Sequence, residues 1–267
     1  MPESILNPAQ PEMEVVDLRG DPEFQARQSR PRDIARAMDG MQRLAHVFAQ
    51  FPSNILQELV DVSVDMCRAE SAGITLEEMG PGGEAQFRWI ATAGKYAGFL
   101  GAVLPRSFSP CGTCLDRGGP QMFRVSKSFL DMIGVDAPEV TDGLLIPWEV
   151  DGVRGTIWVV AHGPRSLFDG EDYNLLRSLA DMAAAGVRQQ RMQADQIRQM
   201  AAESAAAMAN ELAHKINNPL QSLMQTIYLA EMGGIETDRM VKLAAADLDR
   251  LAGLVKQLLD LPGTTAP

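Results

Sequence analysis

A histidine and an asparagine stand one helical turn apart in a helix-forming stretch, and a proline follows at once. These residues are His214, Asn218 and Pro219. Because side chains four residues apart share one face of a helix, the imidazole and the amide are expected to be neighbours. A neutral imidazole can act as a nucleophile, and an amide beside it can orient water or a phosphate group. The pair is therefore a candidate site for nucleophilic chemistry on a helix surface.

Two further residues shape this candidate site. Pro219 removes a backbone donor and frees a carbonyl about one turn earlier, near Lys215, so we expect a kink that fixes the helix surface around His214. Lys215 cannot accept a proton near neutral pH unless its pKa falls greatly, but as a cation it can attract phosphate. The candidate catalytic residues are therefore His214, Asn218 and Lys215.

This segment resembles the dimerisation and phosphotransfer domain of two-component histidine kinases, whose usual pattern is His-Glu-x-x-Asn-Pro-Leu. Residues 214–220 read His-Lys-Ile-Asn-Asn-Pro-Leu, with Glu-Leu-Ala at 211–213. The resemblance implies a homodimeric four-helix bundle with His214 as phosphoacceptor, Asn218 orienting the water that removes the phosphoryl group, and Pro219 at the helix kink. Lys215 departs from the pattern, because the family has an acidic residue there that accepts the histidine proton.

The family's ATP-binding domain has no counterpart in this sequence. No glycine-rich nucleotide loop is found, and the sequence ends at Pro267, so we expect no ATP-dependent autokinase activity from this chain alone. Two functions stay open. In the first, His214 exchanges a phosphoryl group with a histidine kinase or a response regulator. In the second, the bundle is a non-catalytic regulator that binds one of these partners.

Long helices must position this site. From about residue 169 the sequence is dominated by the helix formers Ala, Gln, Met, Leu and Arg. Apolar or small residues recur mostly every three or four positions, which predicts a signalling helix or coiled coil over 169–207. Asp169 or Asp172 is expected to cap the start of this helix. A helical hairpin is expected over 208–262, with a turn at Gly233-Gly234 and a tail over 263–267. Because a single hairpin leaves apolar stripes uncovered, the pattern predicts a four-helix homodimer. The predicted stripe of the second helix consists of Met240, Leu243, Ala244, Leu248, Leu251, Val255 and Leu258.

Residues 36–168 predict an α+β domain built on an antiparallel sheet, with helices flanking it. A helix is expected over 55–66, then strands at 73–77 and 87–91 around a Pro-Gly-Gly turn. Strands at 143–150 and 155–161 flank Asp151-Gly152, a tight hairpin signal, and His162 is expected at the surface where the last strand ends. The first 35 residues contain five prolines and predict a flexible leader.

This middle part resembles a GAF sensor domain of the kind found upstream of bacterial histidine kinases. The resemblance rests on Phe-Arg-Trp at 87–89, on Leu-Pro-Arg-Ser-Phe-Ser-Pro-Cys-Gly-Thr-Cys-Leu-Asp at 104–116 and on Gly-Thr-Ile-Trp-Val-Val-Ala-His at 155–162. It implies a sheet whose loops and helices can enclose a small molecule of unknown identity. The residues expected to line the pocket are Trp89, Phe108, Cys111, Thr113 and Trp158.

The spacing of Cys111 and Cys114 allows two interpretations. Near a helix start the pKa of the first thiol could be lowered, which would favour a redox couple. Alternatively, the cysteines pack as small apolar residues. Two thiols are too few for a zinc or iron–sulfur centre, and no Cys or His lies nearby in the sequence, so no metal site is expected.

Composition narrows the class of partner. The formal net charge of −11 argues against nucleic acid and anionic lipid as partners, because both require a basic face. A transmembrane helix requires a run of about 18 apolar residues, and the sequence contains none, so no membrane insertion is expected. The N-terminus lacks the pattern of a secretory signal, and three cysteines do not form a disulfide framework. We therefore expect a cytoplasmic protein.

Overall fold

The structure is a computed structural model that describes residues 13–31, 33–107, 109–132, 134–163, 168–233 and 235–259. The chain divides into two compact units, Met1–Met192 and Gln193–Pro267. The division falls inside one long helix, whereas the sequence predicts a separate helical segment over 169–207.

A seven-stranded antiparallel sheet forms the centre of the first unit. Its strand order is β1-β5-β6-β7-β2-β3-β4, and every neighbouring pair is antiparallel. The predicted α+β fold on an antiparallel sheet is therefore confirmed. The strands are β1 Met13–Asp17, β2 Ser71–Met79, β3 Ala85–Gly94, β4 Val103–Pro105, β5 Gln121–Val125, β6 Val140–Val150 and β7 Val153–Ala161.

Both predicted hairpins are present. The turn between β2 and β3 contains the Pro-Gly-Gly segment at 81–83. Between β6 and β7 the chain reverses over Asp151 and Gly152, with φ values of 50° and 72°. Two successive positive φ values match the twist of the flanking strands, and Asp-Gly is a favoured sequence for this turn.

Helices cover both faces of the sheet. Alternate residues of a strand point to opposite faces, so Ile157 and Val159 of β7 join one core cluster while Trp158 and Val160 join the other. The first cluster contains residues of α2 (Ile34–Gln50), α3 (Ile55–Cys67) and the start of α6 (Gly170–Glu231). The second contains residues of α4 (Pro110–Arg117) and α5 (Lys127–Met132). The predicted helix over 55–66 is confirmed as α3.

The prediction of a flexible leader over residues 1–35 is wrong for residues 13–31. Here β1 pairs with β5, and Pro22 begins a short helix, α1 (Pro22–Gln25). Proline suits the first helical position because the backbone N–H that it lacks would have no partner inside the helix. Two arginines then anchor the segment after α1, since Arg27 pairs with Asp142 and Arg30 pairs with Asp172. Residues 1–12 lie outside the described residues.

The predicted helical hairpin is also confirmed. The second unit contains the later part of α6 and all of α7 (Thr237–Leu259). At the start of α6, Asp169 accepts hydrogen bonds from the backbone N–H groups of Glu171 and Asp172, as one of the two predicted caps. Gly233, with φ 67°, lies in the turn before α7, and Gly234 falls outside the described residues. In the described ranges, no helix is both long and apolar enough to cross a membrane.

Candidate functional site

An apolar cavity of about 180 Å³ lies on the sheet face that carries α4 and α5. Residues of β3, β5 and β7 form its floor, and α4, α5 and the segment before α4 complete the wall. The start of α4 is fixed by its own sequence. Ser109 accepts a hydrogen bond from Gly112 N at 3.0 Å, and Pro110 occupies the first helical position. The cap places Cys111 in the first turn of α4, against the cavity.

Four aromatic rings pack along the cavity floor and beside it. The centroids of Trp89 and Trp158 lie 5.0 Å apart in an edge-to-face arrangement, and Trp89 stacks on Tyr96 at 5.7 Å. Tyr96 in turn lies edge-on to Phe99 at 5.5 Å. These geometries are the ones that aromatic quadrupoles favour.

A glycine makes room for one of these rings. A Cβ added at Gly73 of β2 would lie 2.2 Å from Cζ2 of Trp158, far inside contact distance. The indole ring of Trp158 therefore lies across the strand where a side chain would otherwise stand. Glycine within a strand often marks such a close approach.

Three of the five predicted pocket residues line this cavity: Trp89, Cys111 and Trp158. Phe108 lies outside the described residues. Thr113 does not line the cavity, because two steps along a helix turn a side chain by about 200°, away from the face of Cys111. Its hydroxyl instead donates to Ser109 O at 3.3 Å. Whether the lining residues bind a ligand stays a prediction.

Sequence reasoning missed several lining residues. Val160 follows Trp158 by two positions on β7, and Phe123 and Val125 alternate in the same way on β5, so strand periodicity alone would have found them. Phe129 and Leu130 of α5 gave no such signal, because that helix is only six residues long. Tyr96 follows β3 in a loop, and only the folded chain places it beside the tryptophans.

The two cysteines of α4 are not an activated redox pair. The Sγ of Cys111 accepts a hydrogen bond from Thr156 Oγ1 at 3.2 Å, and Thr156 is bonded to Thr75 at 2.7 Å. Cys114 is fully buried and donates to Gly119 O at 3.3 Å. Burial raises the pKa of both thiols, and no disulfide joins them. The interpretation of a lowered thiol pKa at the helix start is therefore wrong, because desolvation of the thiolate dominates.

His162 is half-buried and hydrogen-bonded through both ring nitrogens, rather than lying freely on the surface. Its Nδ1 lies 2.7 Å from Glu139 O, and its Nε2 lies 2.8 Å from Ser71 Oγ. A carbonyl oxygen can only accept, so Nδ1 carries the proton and Nε2 accepts from the serine hydroxyl. Burial lowers the pKa of His162 and so favours this neutral form. The side chain ties the end of β7 to β2 and packs against the ring of the lining residue Tyr96 at 4.8 Å, but His162 does not itself line the cavity.

The predicted phosphotransfer residues lie on the exposed surface of α6. His214, Lys215 and Asn218 are exposed, whereas Pro219 is buried and lies inside the helix. The Nζ of Lys215 lies 2.6 Å from Oε1 of Glu211, one turn earlier. This hydrogen bond lowers the pKa of Glu211. The carboxylate of Glu211, three residues before His214, is therefore paired with Lys215.

The hairpin of the second unit has apolar side chains on its outside. The predicted stripe of α7 divides between two sides, because Met240, Ala244 and Leu251 are half-buried while Leu243, Leu248 and Val255 are exposed. The side chain of Leu258 lies outside the described residues. On the second-unit part of α6 the exposed large apolar residues are Ile197, Met200, Met208, Leu220, Met224, Ile227, Tyr228 and Leu229. Within one copy of the hairpin nothing described covers these residues.

No protein-family model matches the chain, and no curated protein matches it. Among solved structures, it is similar to the GAF domain of a phosphoenolpyruvate-protein phosphotransferase from Acinetobacter, with 15% identity, TM-score 0.46, and coverage of 58% of this chain and 95% of that one. The corresponding domain from Coxiella burnetii gives 16% identity, TM-score 0.45 and coverage of 60% and 98%. The GAF-B domain of DevS from Mycobacterium smegmatis gives 18% identity, TM-score 0.41, and coverage of 54% of this chain and 98% of that one. These solved neighbours are GAF domains, and the likeness concerns the fold alone.

Proposed function

We propose that this protein is a signal-transduction protein in which a GAF-type sensor unit controls a histidine phosphoacceptor, His214. Three features of the chain support the sensor: the Ser-Pro-Cys-Gly-Thr segment at 109–113, the antiparallel sheet, and the apolar cavity beside that segment. The helix α6 contains residues of both units, so it is the route that we propose for the signal.

The observation that carries the phosphoacceptor is the placement of His214, Asn218 and Pro219. The imidazole and the amide are exposed four residues apart on one helix, and the buried proline follows them. Exposure matters because phosphoryl transfer requires a donor on a partner protein to reach the imidazole nitrogen in line. Positioning supplies most of the catalysis in such a reaction, so the chain needs no nucleotide site of its own to act as a carrier.

We propose that the hairpin forms a homodimeric four-helix bundle and that this bundle docks a histidine kinase or a response regulator. The exposed apolar side chains of α6 and α7 support the dimer, because a helix buries such a stripe against another helix. The net charge of −11 supports a protein partner rather than a nucleic acid.

One observation favours a second candidate function, that of a non-catalytic regulator. Lys215 follows His214 and binds Glu211. A cation therefore occupies the position at which the histidine kinases that this segment resembles have their proton acceptor. In this alternative the bundle binds a kinase or a response regulator and sequesters it without taking up a phosphoryl group.

Phosphotransfer separates the two functions. The full chain is mixed with labelled histidine kinases and phosphorylated response regulators from the source organism, and acid-labile phosphate is followed. We expect label on the wild type and on His46→Ala, a matched control at an exposed histidine of α2, and none on His214→Ala. Binding of a partner without label on any variant would contradict the phosphoacceptor and favour the regulator.

A further inference from the structure

The lining of the cavity carries no charge. None of the described residues that line it is Asp, Glu, Lys, Arg or His, and most are aromatic or branched aliphatic. An ionised group moved from water into such surroundings loses its hydration without gaining a partner, at a cost of several kcal/mol or more. The chemistry of the lining therefore selects against charged ligands.

Three polar side chains of the lining, those of Tyr96, Ser109 and Cys111, are already engaged within the protein. Tyr96 donates its hydroxyl to Pro138 O at 2.7 Å. Ser109 donates to Arg106 O and accepts from Gly112 N, both at 3.0 Å, and Cys111 accepts from Thr156. These groups are bonded within the protein, so they offer little to a ligand that needs many hydrogen bonds.

One arginine beside the lining is already paired with acidic residues. Arg106 adjoins the lining residues Pro105 and Ser107 in the sequence, but its guanidinium is bonded to Glu77 and to Asp116. Binding an anionic ligand would require these ion pairs to break. The described lining residues therefore provide no anion site.

The volume sets the size of the occupant. An engineered protein cavity of about 150 Å³ binds benzene, whereas pockets for drug-sized ligands run from about 300 to 1,000 Å³. At about 180 Å³ this cavity suits one aromatic ring with a small substituent. Edge-to-face packing against Trp89 and Trp158 would favour an aromatic ring over a saturated one.

From lining and volume together, we infer that the sensor unit binds an uncharged, single-ring aromatic molecule in this cavity. The inference rests on the proposed sensory function of the first unit and names the ligand class of that site. It is independent of phosphorylation at His214, which lies in the other unit.

Three probes that share a methyl-substituted ring test the charge selectivity. They are p-cresol, which is neutral at pH 7, p-toluate, which is an anion, and 4-methylbenzylamine, which is a cation. We expect saturable binding of p-cresol to the full chain, and binding at least about thirtyfold weaker for both ions. The readout is the indole N–H signals of the ¹⁵N-labelled protein. The signals of Trp89 and Trp158 should move, while that of Trp148, in the core on the opposite sheet face, stays in place.

Two substitutions place the binding in the cavity. Val160→Phe should fill the space and abolish p-cresol binding, whereas Val103→Phe, at an exposed residue of β4 outside the lining, should leave it unchanged. Leu130→Ala should enlarge the cavity and raise the affinity for 2-naphthol relative to p-cresol, which keeps the test decisive if Val160→Phe fails to fold.

The inference is overturned if p-toluate or the amine binds as tightly as p-cresol, or if the shifts centre on Trp148. It is also overturned if no signal moves with p-cresol in the wild type and none moves with 2-naphthol in Leu130→Ala. Phosphotransfer to His214 is measured separately. Failure of p-cresol binding would therefore not contradict the phosphoacceptor proposal, and failure to label His214 would not contradict the inferred ligand class.

Discussion

At the scale of single residues, the cavity depends on a small residue facing a large one. Gly73 leaves the space into which the ring of Trp158 fits, and the ring then forms part of the floor beside Trp89. A methyl group at position 73 would displace the indole and disturb the strand. The site is therefore shaped by a residue that does not line it.

Gly73→Ala is expected to lower the free energy of unfolding by about 1–3 kcal/mol, the range for overpacking a core. The control is Gly98→Ala, where an added Cβ would meet nothing within 4 Å. Urea unfolding of both variants, followed by circular dichroism, measures the difference. Equal stability of the two would show that Trp158 gives way without cost.

Cys111 and Cys114 are expected to be alkylated slowly. Their pKa values are raised by burial, so a smaller thiolate fraction exists near pH 8 than for an ordinary thiol, and the rate should go on rising as the pH increases towards the raised values. Mass spectrometry after timed treatment with iodoacetamide should show both labelled at least roughly tenfold more slowly than glutathione in the same tube. Fast labelling at pH 7 would restore the redox interpretation.

At the scale of elements, the segment after α1 attaches the N-terminal part of the first unit to the sheet and to the start of α6. Arg27 holds Asp142 of β6 through two hydrogen bonds of 2.8 and 2.9 Å, and donates to Phe168 O. The backbone N–H of Arg30 donates to Asp169, the residue that caps α6. One short segment therefore stabilises two elements that follow it by more than 100 residues.

Arg27→Ala should destabilise the protein by about 3–5 kcal/mol, because it removes one partner of an ion pair whose carboxylate, that of Asp142, is 1% exposed. Arg188→Ala is the matched control. Its partner Asp151 is exposed, and pairs of that kind contribute about 0–1 kcal/mol. Thermal unfolding monitored by calorimetry compares the two. A similar small loss for both would mean that water replaces the guanidinium at Asp142.

Several elements were predictable from local sequence, and others were not. The Asp-Gly turn, the spacing of apolar residues in α3 and the cap at Asp169 each act within a few residues, so a local pattern was sufficient. The strand β1 and the anchoring by Arg27 depend on partners far along the chain and leave no local signal. The thiol pKa of Cys111 was misjudged for the same reason, since desolvation in the surrounding core outweighs the local helix start and also the hydrogen bonds from Thr75 and Thr156, which lower this pKa.

At the scale of the whole molecule, the exposed apolar side chains of the hairpin predict self-association. Light scattering of the wild type should give twice the mass of the chain at micromolar concentration. The double variant Ile227→Glu, Leu248→Glu should shift the protein towards monomer, because both residues are exposed on the hairpin and charges there oppose burial.

Met79→Glu serves as the control for this prediction, since Met79 is also an exposed apolar residue but lies in the first unit. It should leave the mass unchanged. A wild-type protein that remains a monomer at every concentration would contradict the four-helix bundle.

The long-range attachment of Arg27 also has a consequence for synthesis of the chain. Its partner at Phe168 lies 141 residues later. At about 5–20 residues per second, a ribosome takes roughly 7–28 s to make that stretch, so the N-terminal segment leaves the ribosome long before its partners exist. The residues around Arg27 can therefore reach their final positions only after residue 168 has been made.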